Sequence, residues 1–485
     1  MARVMSPQSA KIRAHAYFPS WLRQNEHATT LDLWAKGEQG REELYMPRDR
    51  EIDEEYKDIA DRAKNPWLML IINVLQQTFF VDGVRMPGEK DNLEVYRVWH
   101  ENGFDSKQAP LYRGSMAHGA SYVTALPAKR RLGGGKTVLW TPRSAKRMAA
   151  FFNEDDDEFP ELAIDATPQW WESPYGNGLT DQGYRVQLID DQAVHHLSVR
   201  GLGLDLEDWE YHDYEEHNLG VTPVIDYPNM TDLDGRNMGE IEPFIPMARR
   251  IDQDIFDRLI VQRFGAWKVR YITGLVKPKE VSEAEYQARV AKLKIGDFLV
   301  TEDPNSKVGT IEENQLKGFI EAGDADLRML AAASQTPPHH MLGLSPQMQP
   351  EALAAAEGGL RAKSVERKTT FGERHERLFR LTAHIMGNRQ EAEAFDMQVR
   401  WRDMETRSLS QAADALGKLA VQVGVPQEML FEKIPGWTDF DVQRAKELVE
   451  SGAIDRLIEQ LANNTGKNNP TGQPTGQPTG QPAGV

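Results

Sequence analysis

The residues whose types could do chemistry fall in a few short stretches. Leu132 to Thr137 reads LGGGKT, which resembles the end of a phosphate-binding loop. Such a loop needs a glycine five residues before Gly135 and a helix after the Lys–Thr pair, so that backbone amides wrap the phosphate. Arg130 stands at that position and the strand-like VLW follows, so the stretch reads as a hairpin turn. GLGLDL from Gly201 lacks the third glycine of a dinucleotide fingerprint and is a turn as well. His195 and His196 are adjacent, and His212 and His217 stand among Asp213, Glu215 and Glu216. A metal site needs ligands at a spacing that lets them converge, and no HExxH or comparable pattern occurs. Ordinary surface histidines account for them. The run Glu154 to Glu158 invites a divalent cation, but consecutive acids on a loop point in different directions, which makes a solvated loop. No GxSxG, cysteine nucleophile or acid–base pair is found, so no catalytic residue, metal ligand or cofactor is assigned.

One further stretch suggests function without catalysis. Thr336 to Pro350, TPPHHMLGLSPQMQP, is bounded by prolines, carries His339, His340, Met341 and Met348, and separates two helical patterns. Loops beyond ~12 residues between helices tend to be functional, whereas a plain connector is the simpler alternative.

Composition narrows the class. With 485 residues the chain exceeds what one core organises, so two or more structural units are expected. The net charge of −17 argues against tight binding to a phosphate backbone. It does not argue against DNA passing nearby, but on composition alone the plainer reading, that the charge aids solubility, is favoured. Cysteine is absent, which excludes disulfides and thiolate metal sites and fits a reducing compartment. The most apolar run, Trp67 to Phe80, is interrupted by Asn73, Gln76 and Gln77 and reads as a buried helix, not a membrane span. The N-terminus lacks the order of a secretory signal.

The elements that must position these residues alternate. Helical patterns cover Ser20 to Leu33, Glu51 to Phe80 with Asn65 as a cap before Pro66, Asp91 to Glu101, Ser106 to His118, and Ser144 to Phe152. Strand patterns cover Tyr122 to Leu126 and Thr137 to Trp140 about the glycine turn, then Tyr184 to Ile189, His195 to Val199 and Val221 to Tyr227. From Gly239, Ile241, Phe244, Ile245, Ala248, Ile251, Ile255 and Leu259 form one stripe of a long helix, with Arg249, Asp252, Asp257 and Arg258 off it. A small α/β unit follows: a strand at WKVRYITGL, a charged helix from Ser282 to Leu293, and a strand at DFLVTED. Helices resume at Leu316 to Ala333 and Glu351 to Met386. Gly358 and Gly359 in the latter either mark a kink or are two weak points in an Ala-rich helix. Two more helices span Leu409 to Val423 and Phe440 to Ala462. Residues 464–485 hold three TGQP units, which cannot bury a core and should be disordered.

SQTPPHHMLGLSPQMQPEALAAAEGGLRAKSVERKTTFGERHERLFRLTAHIMG resembles the central segment of portal proteins of tailed phages, of the type common in phages of actinobacteria. NPWLMLIINVLQQTFFVDGVR, VWHENGFDSKQAPLYRGSMAHGASYV and HNLGVTPVIDYPN resemble other parts of that family in the same order, so the resemblance runs from about Asn65 to Asp441. It implies an α+β, mostly helical chain that assembles into a ring, usually of twelve subunits, at a capsid vertex. Residues 1–239 would be the wing, 240–265 one stem helix, 266–315 the clip and 316–335 the second stem helix. Residues 336–350 would be the tunnel loop, 351–408 the long kinked helix and its return to the wing, and 409–463 the crown. The tunnel-loop residues implied to face DNA in the channel are Pro337, Pro338, His339, His340, Met341, Leu342, Ser345, Gln347 and Met348. Implied partners are further copies of the chain, the major capsid protein, the terminase large subunit, head–tail adaptors and, transiently, double-stranded DNA. The place is the virion, with the host cytoplasm during assembly. The alternative is another multimeric connector or tail component without a DNA channel; a hydrolase or nuclease is the enzyme alternative.

Overall fold

The computed structural model describes residues 4–45, 54–86, 94–130, 133–153, 158–172, 180–265, 270–273, 282, 298–301, 308–310, 316–343, 357–402, 409–431, 433–434, 436–437 and 439–450. The chain divides into two compact units, Met1–Trp401 and Arg402–Val485.

The first unit opens with α1, Pro7–Lys36, far longer than the pattern predicted. Ser6 caps it by accepting from the Ser9 amide at 3.2 Å, and Gly37 ends it in the left-handed region, φ 72°. Its polar residues obscure the apolar face in sequence, yet Ala10, Ala14, Phe18 and Trp21 are fully buried. Helices α2 (Glu54–Ala63) and α3 (Trp67–Gln76) follow. Asn65 does not cap α3 as expected: its side chain donates back to the Ala63 carbonyl at 2.7 Å, and Pro66 holds the N-cap place. Strand β1, Val81–Arg85, leads to α4 (Glu94–Glu101) and α5 (Phe104–His118).

Two sheets come next. Strands β2 (Ala120–Lys129) and β3 (Lys136–Ser144) form the hairpin about the glycine turn, where Gly133 and Gly134 adopt φ 81° and 67°. A five-stranded antiparallel meander holds β4 (Met148–Phe151), β5 (Leu162–Glu172), β6 (Thr180–Ile189), β7 (Ala193–Arg200) and β8 (Trp209–Glu216). The helix expected over Ser144 to Phe152 is thus corrected, because Met148 to Phe151 pair with β5. Packing of Met148 and Ala149 into the sheet overrides a helical composition. Strand β9 (Val224–Pro228) joins β2, and the two-residue strands β10 (Met230–Thr231) and β11 (Asn237–Met238) pair with each other.

Helix α6, Ile245–Gly265, buries Ile251 and Phe256. Strands β12 (Arg270–Thr273), β13 (Phe298–Thr301) and β14 (Val308–Thr310) form a sheet in which β12 pairs parallel with β13 and antiparallel with β14. The expected helix from Ser282 to Leu293 lies, beyond Ser282, outside the described residues. Helix α7 (Lys317–Ala333), the single turn α8 (Pro338–Leu342) and the 29-residue α9 (Gly358–Met386) follow. Gly358 and Gly359 stand in the first turn of α9 as described. The short α10 (Arg389–Ala392) leads to β15, Gln398–Trp401, which pairs antiparallel with β1.

Helix α9 runs through the largest core. Its Phe371, His375, Leu378 and Phe379 pack with Trp99 of α4, Phe104 and Tyr112 of α5, and Trp140 of β3. Ring centroids there lie 4.9 to 6.3 Å apart, largely edge to face, the arrangement aromatic quadrupoles favour. A second core sits between α1 and the five-stranded sheet, where Phe18 stacks on Trp21 at 5.0 Å.

The second unit holds α11 (Leu409–Lys418) continued by a π turn at Leu419–Val423, then α12 (Gln427–Phe431) and α13 (Asp439–Glu450). Phe431 stacks on Trp437 at 5.8 Å. Among the described residues, no helix is long and apolar enough to cross a membrane.

Candidate channel segment and its anchorage

The proline-bounded segment begins where α7 ends. Gln335 has φ 54°, a left-handed conformation that costs a residue with a Cβ ~1–2 kcal/mol. Pro337 then extends the chain with ψ 131°, and Pro338 starts α8, where a proline lacks no needed hydrogen bond. Gly343 ends the turn at φ 62°. The segment is therefore not wholly irregular: Pro338 to Leu342 form one helical turn.

This turn presents two sides. Met341 is 5% exposed and belongs to the largest core, and α8 packs on α3 and α7. His339 is half-buried and His340 exposed, with their rings 4.2 Å apart. Burial, and secondarily the neighbouring His339, hold the His340 imidazole below its ordinary range against the opposing pull of Glu357. His340 is thus neutral near pH 7 and offers hydrogen bonds without a fixed charge. Of the nine residues expected in a tunnel loop, Pro337, Pro338, His339, His340, Met341 and Leu342 lie in this turn and its lead-in. Ser345, Gln347 and Met348 lie outside the described residues.

The base of the segment is clamped from α9. Lys363 donates to the Ser334 carbonyl at 2.5 Å and to Glu240 at 2.6 Å. Glu240, which precedes α6, also meets Arg367 at 3.3 Å, and Arg367 donates to the side-chain oxygen of Asn229 at 3.1 Å. Glu240 and Arg367 are each 2% exposed. Ser334 donates in turn to the Thr336 hydroxyl at 3.0 Å. One buried network thus joins the lead-in to α6, the end of α7, the strand β9–β10 junction and α9. A second link ties α6 to α7, where Arg250 donates to both oxygens of Asp326 at 2.9 and 2.7 Å. Sequence reading missed Lys363, Arg367 and Glu240, because partners 123 and 127 positions apart leave no local signal.

Asp252 was expected off the apolar stripe of α6, yet it is 1% exposed. Chain from the end of α1 covers it, and Gln39 donates to its Oδ2 at 2.7 Å. Burial pushes its carboxyl up to about 7. Among the described residues, its Oδ1 and the Gln39 Oε1 have no well-formed hydrogen-bond partner.

The histidines in the wall of the molecule are structural. His375 is fully buried between Tyr112 and Tyr227, whose hydroxyls lie 2.6 Å from Nε2 and 3.0 Å from Nδ1. Burial lowers its imidazole to about 3, so it is neutral, donating through one nitrogen and accepting through the other. His195 is not on the surface as expected. It is fully buried, donating from Nε2 to Asp190 at 3.2 Å with the Tyr211 hydroxyl 3.2 Å from Nδ1. Asp190 meanwhile accepts the amides of Gln192 and Ala193, which closes the β6–β7 turn. Among the described residues no three His, Asp or Glu side chains gather as a metal site would require.

This arrangement is one of packing, clamping and an exposed turn. The family model described as phage portal protein, SPP1 Gp6-like, matches residues 16–454, and the chain belongs to that family. A solved chain from the neck of a native GTA particle, computed with C12 symmetry, shares 10% identity. It aligns with a TM-score of 0.42 over 75% of this chain and 87% of its own length. Comparison with curated proteins finds no match.

Proposed function

We propose that this portal-family chain is one subunit of a closed ring, usually twelve-fold, at a capsid vertex, and that DNA passes through that ring during packaging and ejection. In this reading α6 and α7 are the paired stem helices, the sheet β12–β14 belongs to the clip that meets terminase and later adaptors, and Thr336 to Pro350 is the tunnel loop. The observation that carries it is the Lys363 clamp. It fixes Ser334, at the base of the segment, to α9 and to the lead-in of α6, while Pro338, His339 and His340 remain at least partly exposed. A short turn on a rigid base suits transient contact with a sliding phosphate backbone. The neutral His340 imidazole donates a hydrogen bond there without the counterion release that makes lysine-rich contacts tight.

The buried Met341 dictates the test. Replacing the whole segment would empty part of the core, so His339→Ala and His340→Ala are combined and Met341 is kept. Rings should assemble at wild-type yield, and heads should package DNA several-fold less completely. Full heads at wild-type yield would remove the segment from the DNA path.

A further inference from the structure

Among the described residues, two oppositely charged surfaces of the first unit have no partner within the chain. One is the tip of the β2–β3 hairpin. Lys129 and Lys136 stand directly opposite each other across the strands, both exposed. Like charges in direct cross-strand register destabilise a hairpin, and among the described residues neither lysine meets an acid. Arg130 beside them is held by Glu101 at 2.7 Å, and Leu139 stands 52% exposed on the same hairpin. Gly133 and Gly134, both left-handed, stand in the turn between the lysines.

The other surface is β8, the outer strand of the five-stranded sheet, with the turn that leads into it. Among the described residues nothing pairs with its free edge. From Asp205 to Glu216 the sequence carries seven acids and no Lys or Arg. Glu210, Asp213 and Glu215 are exposed, and among the described residues none of them meets a lysine or arginine. Tyr214 stands 47% exposed among them. Asp165, Glu240 and Asp326, by contrast, are each paired with arginine. An acidic edge repels a copy of itself, which blocks edge-to-edge pairing, but it accepts a basic one.

We propose that the β2–β3 tip of one subunit docks on the β8 edge of the next, with Lys129 and Lys136 against Glu210 and Asp213. A ring closes by a heterologous contact, in which each subunit offers two different complementary surfaces, and these two have matching charge and an exposed apolar residue each. The inference rests on the ring reading above and adds where neighbours meet. The lysines could instead face DNA, and the experiment separates the two.

The fraction of rings is measured by mass photometry against sodium chloride for four full-length chains. These are the wild type, Lys129→Glu with Lys136→Glu, Glu210→Lys with Asp213→Lys, and all four changes together. Both charge reversals should lower by at least two-fold the salt concentration at which rings come apart, and the fourfold variant should recover most of that loss. Lys136→Cys combined with Glu210→Cys, in a chain with no other cysteine, should give a ladder of disulfide-linked oligomers when rings are oxidised. If wild-type rings form and the reversals, while folded by circular dichroism, assemble with unchanged salt dependence, the contact is wrong. Lysine variants that assemble normally but alter DNA retention would overturn it in favour of DNA. A wild type that stays monomeric at all concentrations counts against the ring reading itself, and the contact falls with it.

Discussion

Lys363 reaches Glu240 at 2.6 Å across 123 positions of sequence, and the same ammonium holds the Ser334 carbonyl. Both side chains are nearly buried, 10% and 3% exposed. The contact sets the base of the proline-bounded segment relative to the two helices that flank it. Breaking a buried pair from one side strands the other charge, typically at ~3–5 kcal/mol.

Lys363→Met should therefore cost about 3 kcal/mol, at the lower end of that range because Arg367 still faces Glu240. Denaturant unfolding measures the loss, and adding Glu240→Gln should recover part of it. Hydrogen exchange should rise first at Ser334 to His340. A uniform rise over the whole first unit would show a general packing role in place of a clamp.

His375 holds two tyrosine hydroxyls that have no water to turn to. His375→Leu should cost about 2–6 kcal/mol, the sum of two stranded buried hydroxyls, with Tyr112→Phe and Tyr227→Phe each costing less. Chemical denaturation at pH 7.5 orders the three variants. Equal losses for all three would contradict a shared network.

The pH dependence of stability should show two opposing terms. His375 is lowered from 6.5 to about 3 in the fold, so the unfolded chain binds the extra proton between those values, and stability is lost as pH falls through that window. Asp252 is raised from 3.8 to about 7, so the folded chain binds the extra proton, and stability is lost as pH rises through that window. Each contributes a slope of about 1.4 kcal/mol per pH unit at most, and between about pH 4 and 6.5 they cancel. Asp252→Asn should thus leave a chain whose stability climbs with pH over that range, and which is more stable than the wild type at pH 8. Denaturation midpoints at pH 5, 6.5 and 8 check both signs.

Arg250 and Asp326 join α6 to α7 by two hydrogen bonds, but the arginine is half exposed. Asp326→Asn should accordingly cost only about 1 kcal/mol. The melting temperature of the purified chain is the readout, and the loss should shrink further in high salt.

How much of this was legible in the sequence depended on whether a signal was local. The hairpin about Gly133 and Gly134 was readable because two strand patterns flanked a glycine cluster, and its lack of a following helix removed the phosphate loop. The helix over 245–265 was readable from its stripe, yet Asp252 was misjudged because its cover arrives from Gln39, which is distant in sequence. Met148 to Phe151 read as helix because Arg, Met and Ala favour one; pairing with β5 decided otherwise. The length of α1 was hidden by its mixed face and by Pro19 inside it. At the candidate site, the prolines announced a break, but the helical turn at Pro338 to Leu342 and its core-facing Met341 follow from packing on α3. The clamp of Lys363 and Arg367 on Glu240 had no sequence signature at all.

The central claim is a ring with residues 339 and 340 at its opening. Electron microscopy of the assembled protein, with His340→Cys labelled by gold in the otherwise cysteine-free chain, tests it most directly. The prediction is a radially symmetric ring whose hole admits duplex DNA, with gold at the rim of the hole. A particle without a central opening, or gold at the outer periphery, would contradict it.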